Sequence, residues 1–283
     1  MPRKSAGILA YRSKAHLFEV LLVHPGGPFW KNKDAGAWSI PKGEYADDEE
    51  PLKAALREFK EELGIDISGV PLALSPVRQK SGKEIIAFAI ESDVDVTNIT
   101  SNTVTINWPP KSNKQIAVPE VDKAQWFNII DAAEKINPAQ AALIDDLMTK
   151  FFSLTDEQLE KIKVLGNIIK HRRLIDFYFE SRLNSAKPFK DYRKVEPYFV
   201  GLFISGPKKE KLSLTGFFWP TSHQIKTGEE KGQGNYSIDK MDLKKLKILD
   251  ETYDEIQIPP ANIHNTKTMI IFYKTDLKKF VHR

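Results

Sequence analysis

The chain has no cysteine. That excludes disulfide staples, zinc–thiolate centres and cysteine nucleophiles, and it fits a reducing compartment. It also lacks any apolar run approaching the ~20 residues a membrane helix needs. The basic opening "MPRKSAGILAYRSK" carries an apolar stretch that stops at Arg12, too short for the core of a secretory signal. The expected setting is therefore cytoplasmic, with no membrane partner. Six histidines, at 16, 24, 171, 223, 264 and 282, make no metal-ligand spacing. No phosphate loop of the G-x4-G-K-[ST] type is present, and "GPKKEK" (206–211) has no helix pattern after it. There is no low-complexity tract and no internal repeat.

What is present is the composition of a globular protein: 283 residues, 41% hydrophobic and 28% charged. This length allows one large domain or two ordinary ones. The net charge of +4 hides an asymmetry. Residues 1–150 hold 18 Lys+Arg against 21 Asp+Glu, a balance of −3, and residues 151–283 hold 24 against 17, a balance of +7. Two modules with different partners are expected.

In the first half, "AGILAYR" and "FEVLLVH" read as strands, the second followed by the loop signal "PGGPF". "GAWSIPKGE" is a further short strand broken by Pro41. "EEPLKAALREFKEELG" has a helical pattern, with Pro51 suited to its first turn and Gly64 to the position past its end. A hairpin is expected around Ser81-Gly82, and strands in "NTVTINW" and "KAQWFNI". The segment "NPAQAALIDDLMTKFF" closes this half as a helix. "SLTDEQ" (153–158) marks the boundary, giving expected domains of 1–152 and 153–283. After it comes a helix, "EQLEKIKVLGNIIKHRR", and then a mostly β pattern: "LIDFYFE", "YRKVEPYFVGLFI", "KLSLTGFFW", "NYSID" and "MIIFYKT", with "TGEEKGQGN" (227–235) as a loop. The expected class is α/β or α+β.

At 100° per residue, Leu52, Ala55, Leu56, Phe59 and Leu63 of the glutamate-rich helix fall in one arc, which should face a core. Glu58, Glu61 and Glu62 cluster in another, with Arg57 four residues before Glu61. Like charges at this spacing repel. A solvated acidic face is the plain reading of such a run; a hard-cation site for magnesium or manganese is the sharper one. The surrounding spacing decides between them. Gly43, five residues, Glu49, seven residues, then Arg57-Glu58-Phe59-Lys60-Glu61-Glu62-Leu63-Gly64-Ile65 matches, position for position, G-x5-E-x7-R-E-U-x-E-E-x-G-U, with U bulky and apolar.

This is the signature of the Nudix hydrolases, and residues 5 to about 150 resemble that family. The flanking segments "VHPGGPFWKNKDAGAWSIPKGE", "VRQKSGKE", "SNTVTINWPP" and "PEVDKAQWF" look like a bacterial branch of predicted nucleoside-triphosphate pyrophosphohydrolases. The resemblance implies an α/β/α sandwich and Mg2+- or Mn2+-dependent hydrolysis of a nucleoside diphosphate linked to another group. It makes Glu58, Glu61 and Glu62 metal carboxylates and the Gly43 carbonyl a further ligand. It makes Glu58 the first candidate for the base and Arg57 the residue that orients the glutamates, with Glu49 tying loop to helix. A further carboxylate is expected past the box: Glu120, or alternatively Asp122. Lys42, Arg78 and Lys80 are candidate phosphate contacts. Trp38, or the pair Phe29-Trp30, is a candidate for stacking on a base.

The second half resembles WYL-type domains, which are SH3-like or Sm-like small barrels with a leading helix. The resemblance rests on Phe177-Tyr178, Arg193, Val195-Glu196-Pro197-Tyr198 and Ser237-Ile238-Asp239-Lys240. It departs in lacking the Trp-Tyr-Leu triplet, near whose place stands Thr215-Gly216-Phe217, and in carrying Lys240 where arginine is usual. It implies a nucleotide or nucleic-acid ligand at a basic surface and allows a homodimer. The competing expectation for the whole chain is a nucleotide sensor that binds without turnover; the complete box favours an enzyme.

Overall fold

In the computed structural model the described residues are 4–181, 189–206, 208–226, 230–254 and 268–275. The chain divides into two compact units, Met1–Arg12 with Glu19–Leu154 and Ser13–Phe18 with Thr155–Arg283. Among the described residues no helix is long and apolar enough to cross a membrane.

The first unit is built on β1 (Lys4–Lys14), with β2 (Leu17–Pro25) beside it. The short β3 (Lys42–Glu44) pairs antiparallel with β1 through Ala6 opposite Gly43. β1 runs parallel to β6 (Glu84–Glu91) from Lys4 opposite Glu84 to Tyr11 opposite Glu91. A parallel pair is covered on both faces, and the near-continuous burial of Ser5–Tyr11 agrees. β9 (Val121–Asn128) pairs antiparallel with β2, while β4 (Leu72–Ala73) and β5 (Val77–Arg78) edge β6.

Even-numbered β1 residues Ala6, Ile8 and Ala10 meet Ala54, Ala55, Phe59 and Leu63 of α1 (Pro51–Leu63). The opposite face meets the closing helix. There Tyr11 lies edge-on to Phe151, with ring centroids 4.9 Å apart, and Phe151 belongs to the helix Ala141–Phe152. Strand alternation sets the two faces, so helices sandwich a sheet.

Several local departures from the sequence reading have simple causes. The strand ending in "WFN" stops at Asn128, whose side chain accepts from the N–H groups of Ile130 and Asp131 and starts the helix Ile129–Lys135, α2. A separate ribbon, β7 (Thr103–Asn107) antiparallel to β8 (Gln115–Pro119), stands outside the main sheet. "GAWSIPKGE" is two isolated bridges, Trp38 with Ile136 and Ser39 with Val23, and the short β3 beyond Pro41.

The second unit opens on a helix, Asp156–Lys170, started by a reciprocal capping box between Thr155 and Gln158. Most of the rest is an antiparallel sheet around the long β11 (Phe189–Phe203), with a short helix at Ser222–Lys226. β10 (Arg173–Ser181) pairs with its first half, β15 (Met269–Lys274) with its last residues, and β12 (Leu212–Trp219) runs along the other edge. β13 (Gly232–Ser237) extends β12 and β14 (Lys247–Thr252) extends β10. The expected loop 227–235 is corrected here. Gly232–Asn235 is strand, Gly232 and Gly234 pairing with Phe218 and Gly216; at Gly234 a Cβ would lie 2.4 Å from the Tyr236 hydroxyl, so a side chain has little room there; residues 227–229 lie outside the described residues.

Candidate active site

α1 starts on Pro51 and ends on Gly64, whose φ of 71° is left-handed and whose N–H donates to the Lys60 carbonyl at 2.7 Å. The chain after β6 then satisfies the helix's last carbonyls: Thr100 N–H donates to Leu63 O at 3.1 Å and Asn102 N–H to Glu61 O at 2.9 Å. This zipper sets Asn102 and Thr103 beside the glutamates. Glu120 follows Pro119, which pairs with Thr103 at the same end of the ribbon. Its N–H donates to Asn102 O at 2.8 Å, and its carbonyl accepts from Gly26 N–H at 2.9 Å.

The result is one open cavity of about 590 Å3. Lys42, Gly43 and Glu44 form one wall, Glu58, Glu61 and Glu62 another, and Asn102, Thr103 and Glu120 the third. Arg57 stands behind the carboxylates as a hub. Its Nε and Nη2 donate to the two oxygens of Glu49 at 3.0 and 3.1 Å. Its Nη1 donates to Glu58 at 2.6 Å and to Glu61 at 3.1 Å, and Nη2 also reaches the Glu44 carbonyl at 3.3 Å. Such a fork suits arginine, not lysine. The Arg57 guanidinium is held all the more firmly protonated, first by Glu49.

Burial governs the two inner carboxyls. It pushes Glu58 above the usual carboxylate range against the pull of Arg57. It pushes Glu62 up to about 8; Lys42 opposes this, and Glu58 and Glu120 add to it. Lys42 N–H donates to Glu62 at 3.3 Å. A carboxylate so desolvated calls for a proton or a cation beside it. Gly43 is required for contact: a Cβ there would lie 1.9 Å from a Glu58 carboxylate oxygen. These oxygen donors fit a hard divalent cation. Among the described residues, no three His, Asp or Glu side chains already converge into a metal-holding group.

Of the sequence candidates, Lys42, Gly43, Glu58, Glu61, Glu62 and Glu120 surround this cavity, with Arg57 and Glu49 supporting it. The other candidates lie elsewhere. Trp38 is 4% exposed, donates Nε1 to Asp34 at 2.9 Å and packs edge-on against His24 and Phe127, so its face offers no stacking platform. Arg78 is exposed beside Glu84 at 3.6 Å and does not line the cavity. Asp122 binds His24 at 2.7 Å, leaving Glu120 as the carboxylate on the cavity. Phe29 and Trp30 are covered by the Lys33 ammonium, 3.5 and 4.7 Å from their ring centroids. Lys80 does not line the cavity. Sequence reasoning missed Glu44, Asn102 and Thr103; "SNT" carries no signal beyond standing ahead of a strand.

Comparison with known proteins agrees on the first unit. The NUDIX domain model matches residues 1–147. No curated protein matches the chain. Solved structures similar to part of it include a C. elegans Ap4A hydrolase binary complex, at 18% identity over 53% of this chain and 99% of that one, with TM-score 0.38. The NUDIX domain of Shewanella oneidensis NrtR complexed with ADP ribose is similar at 16% identity over 53% and 89%, with TM-score 0.40. MutT of Aliivibrio salmonicida and Vibrio cholerae is similar at 16% over 52% and 96%, with TM-score 0.33. With its box complete and the family model spanning more than half of it, the chain belongs to the Nudix family.

Proposed function

We propose that the chain is a divalent-metal-dependent pyrophosphohydrolase that cleaves a nucleoside diphosphate linked to another group, as in the nucleoside-triphosphate branch. The observation that carries this is the gathering of Glu58, Glu61, Glu62 and Glu120 around one open cavity. Those carboxylates and the Gly43 carbonyl would hold Mg2+ or Mn2+. When bound, the cation supplies charge neutralisation of the phosphates and acidification of a water.

The chain's own residues do the rest. Glu58 takes the proton from the attacking water. Arg57 fixes Glu58 and Glu61 in position. Lys42 meets a phosphate oxygen at the cavity rim. We assign the basic second half, with its balance of +7, an accessory role in binding a nucleotide or other anion.

The test is hydrolysis of a nucleotide panel with Mg2+ or Mn2+ and with chelator, wild type against Glu61→Gln and Glu62→Gln. Metal-dependent turnover that collapses in the variants is expected. Binding with no turnover of any compound would replace the hydrolase reading with a nucleotide-sensing one.

A further inference from the structure

The second unit carries a cavity of its own, of about 530 Å3, a size that suits a small molecule. It lies between the start of the helix Asp156–Lys170 and two short 3-10 turns, Ile238–Lys240 and Leu243–Lys245. Lys161 lines it, although its side chain is only 5% exposed. The Lys161 Nζ lies 2.7 Å from Glu157 Oε1 and donates to the Asp239 carbonyl at the long distance of 3.5 Å. Glu157 and Asp239 line the same cavity, so the buried ammonium stands at its edge.

An ammonium carries three donors, and burying one is costly unless it is well paired. The carboxylate beside Lys161 pairs with it weakly. Glu157 sits four residues back on the same helix with its side chain 77% exposed, so it can turn into water at little cost. A methionine at 161 would fill the space without burying a charge. The other carboxylates of the cavity are engaged. Asp239 Oδ1 accepts from Gln158 Nε2 at 2.9 Å, and Asp242 Oδ1 accepts from the Lys244 N–H at 3.0 Å. Lys240 and Lys244 also line the cavity, and among the described residues neither side chain has an ion-pair partner. Three lysines around one space suit a dianion, for which lysine serves as a point charge. Buried Met241 and half-buried Leu243 add an apolar wall, and no aromatic residue lines the cavity for a base to stack on.

Resting on the accessory anion-binding role assigned above, we propose that this cavity binds a phosphate monoester with a non-aromatic body. Lys161 anchors the phosphate, and Glu157 occupies its place until it arrives.

Calorimetric titration of the full chain in chelator tests this, with glycerol 3-phosphate, inorganic phosphate, succinate and AMP as probes. Without metal the glutamate cavity of the first unit repels all four. Glycerol 3-phosphate should bind saturably and more tightly than the other three. Lys161→Met should weaken it about tenfold or more, as expected for losing a charge-assisted contact. Glu157→Gln should tighten it about two- to fivefold, because a competitor for the ammonium is removed. A purely structural ion pair predicts no such gain. Should Lys161→Met fail to fold, Glu157→Gln decides alone. Equal binding in a folded Lys161→Met, no gain in Glu157→Gln, or tighter binding of succinate or free phosphate overturns the assignment. AMP bound most tightly, with an affinity that both variants leave intact, overturns this site while the accessory role stands. If none of the probes binds, both fall.

Discussion

Replacing Gly43 by alanine separates the site's geometry from the fold's stability. The added Cβ would lie 1.9, 2.0 and 2.3 Å from the three carboxyl atoms of Glu58, far inside contact distance. β3 is fixed by its pairing with β1, so the carboxylate must move, and it can, because it ends a flexible side chain. Moving it breaks the 2.6 Å bond from Arg57, a charge-assisted contact whose loss costs about 1.5–3 kcal/mol. Gly→Ala in a compatible backbone returns about 0.4–1 kcal/mol through the unfolded state. The net loss is then about 0.5–2.5 kcal/mol, too small to unfold a domain. Activity responds differently. A displacement of about 1 Å in a group that positions or deprotonates the nucleophile costs on the order of a hundredfold. Steady-state hydrolysis in saturating Mg2+, with thermal denaturation of the same preparations, should show kcat reduced about a hundredfold and the melting temperature lowered by only a few degrees. Glu58→Gln should match it in rate. A Gly43→Ala enzyme within threefold of wild type would mean that Glu58 does not act from where it stands.

Other perturbations probe the parts around it. Arg57→Lys keeps the charge but cannot fork onto Glu49 while holding Glu58 and Glu61, so kcat should drop about 10–100-fold with little change in melting temperature; equal rates would refute the hub. Glu62 carries a pKa of about 8 in the folded chain against about 4.5 unfolded, so the folded state holds the extra proton. In chelator, stability should therefore fall as pH rises from about 4.5 to about 8, and Glu62→Gln should flatten that slope in denaturant titrations. Phe59→Ala, in the core beneath the glutamates, should cost about 3–5 kcal/mol. Thr155→Ala removes one half of the capping box and should cost the second unit about 1 kcal/mol, read from its unfolding midpoint.

The box was legible because its chemistry is local. Pro51, Gly64 and the apolar set around Phe59 are enough to place one helix, and residues three and four apart on it must be neighbours. The glycine at 43 was legible only as part of a spacing; that it makes room for a carboxylate is a fact of β3 lying across α1. Trp38 shows the opposite limit. An aromatic near a glycine-rich loop reads as a stacking platform or, the better expectation for Trp38, as core, and the hydrogen bond to Asp34 with edge contacts to His24 and Phe127 places it in the core. Asn102 and Thr103 were invisible for a different reason. Their place depends on backbone hydrogen bonds to the carbonyls of Glu61 and Leu63, which no side-chain pattern encodes.

The same backbone bonds explain how carboxylates distant in sequence can act as one set. Glu120 has Asn102 on one side and Gly26 on the other, and the next N–H, of Val121, donates to Ser101 Oγ at 3.0 Å. A Cβ at Gly26 would lie 2.2 Å from the Pro119 carbonyl, so the β2–β3 loop can close on this turn only with glycine there. Position 26 thus bears on a carboxylate it never touches. Gly26→Ala pushes on backbone, not on a movable side chain, so Pro119 and Glu120 must shift together. The shift should weaken whatever Glu120 holds while Glu58, Glu61 and Glu62 remain as they are. The expected outcome is a rise of about tenfold or more in the Mg2+ concentration needed for half-maximal rate, with Arg57 and the box glutamates intact. A Gly26→Ala enzyme with wild-type metal dependence would show that Glu120 lines the cavity without serving it.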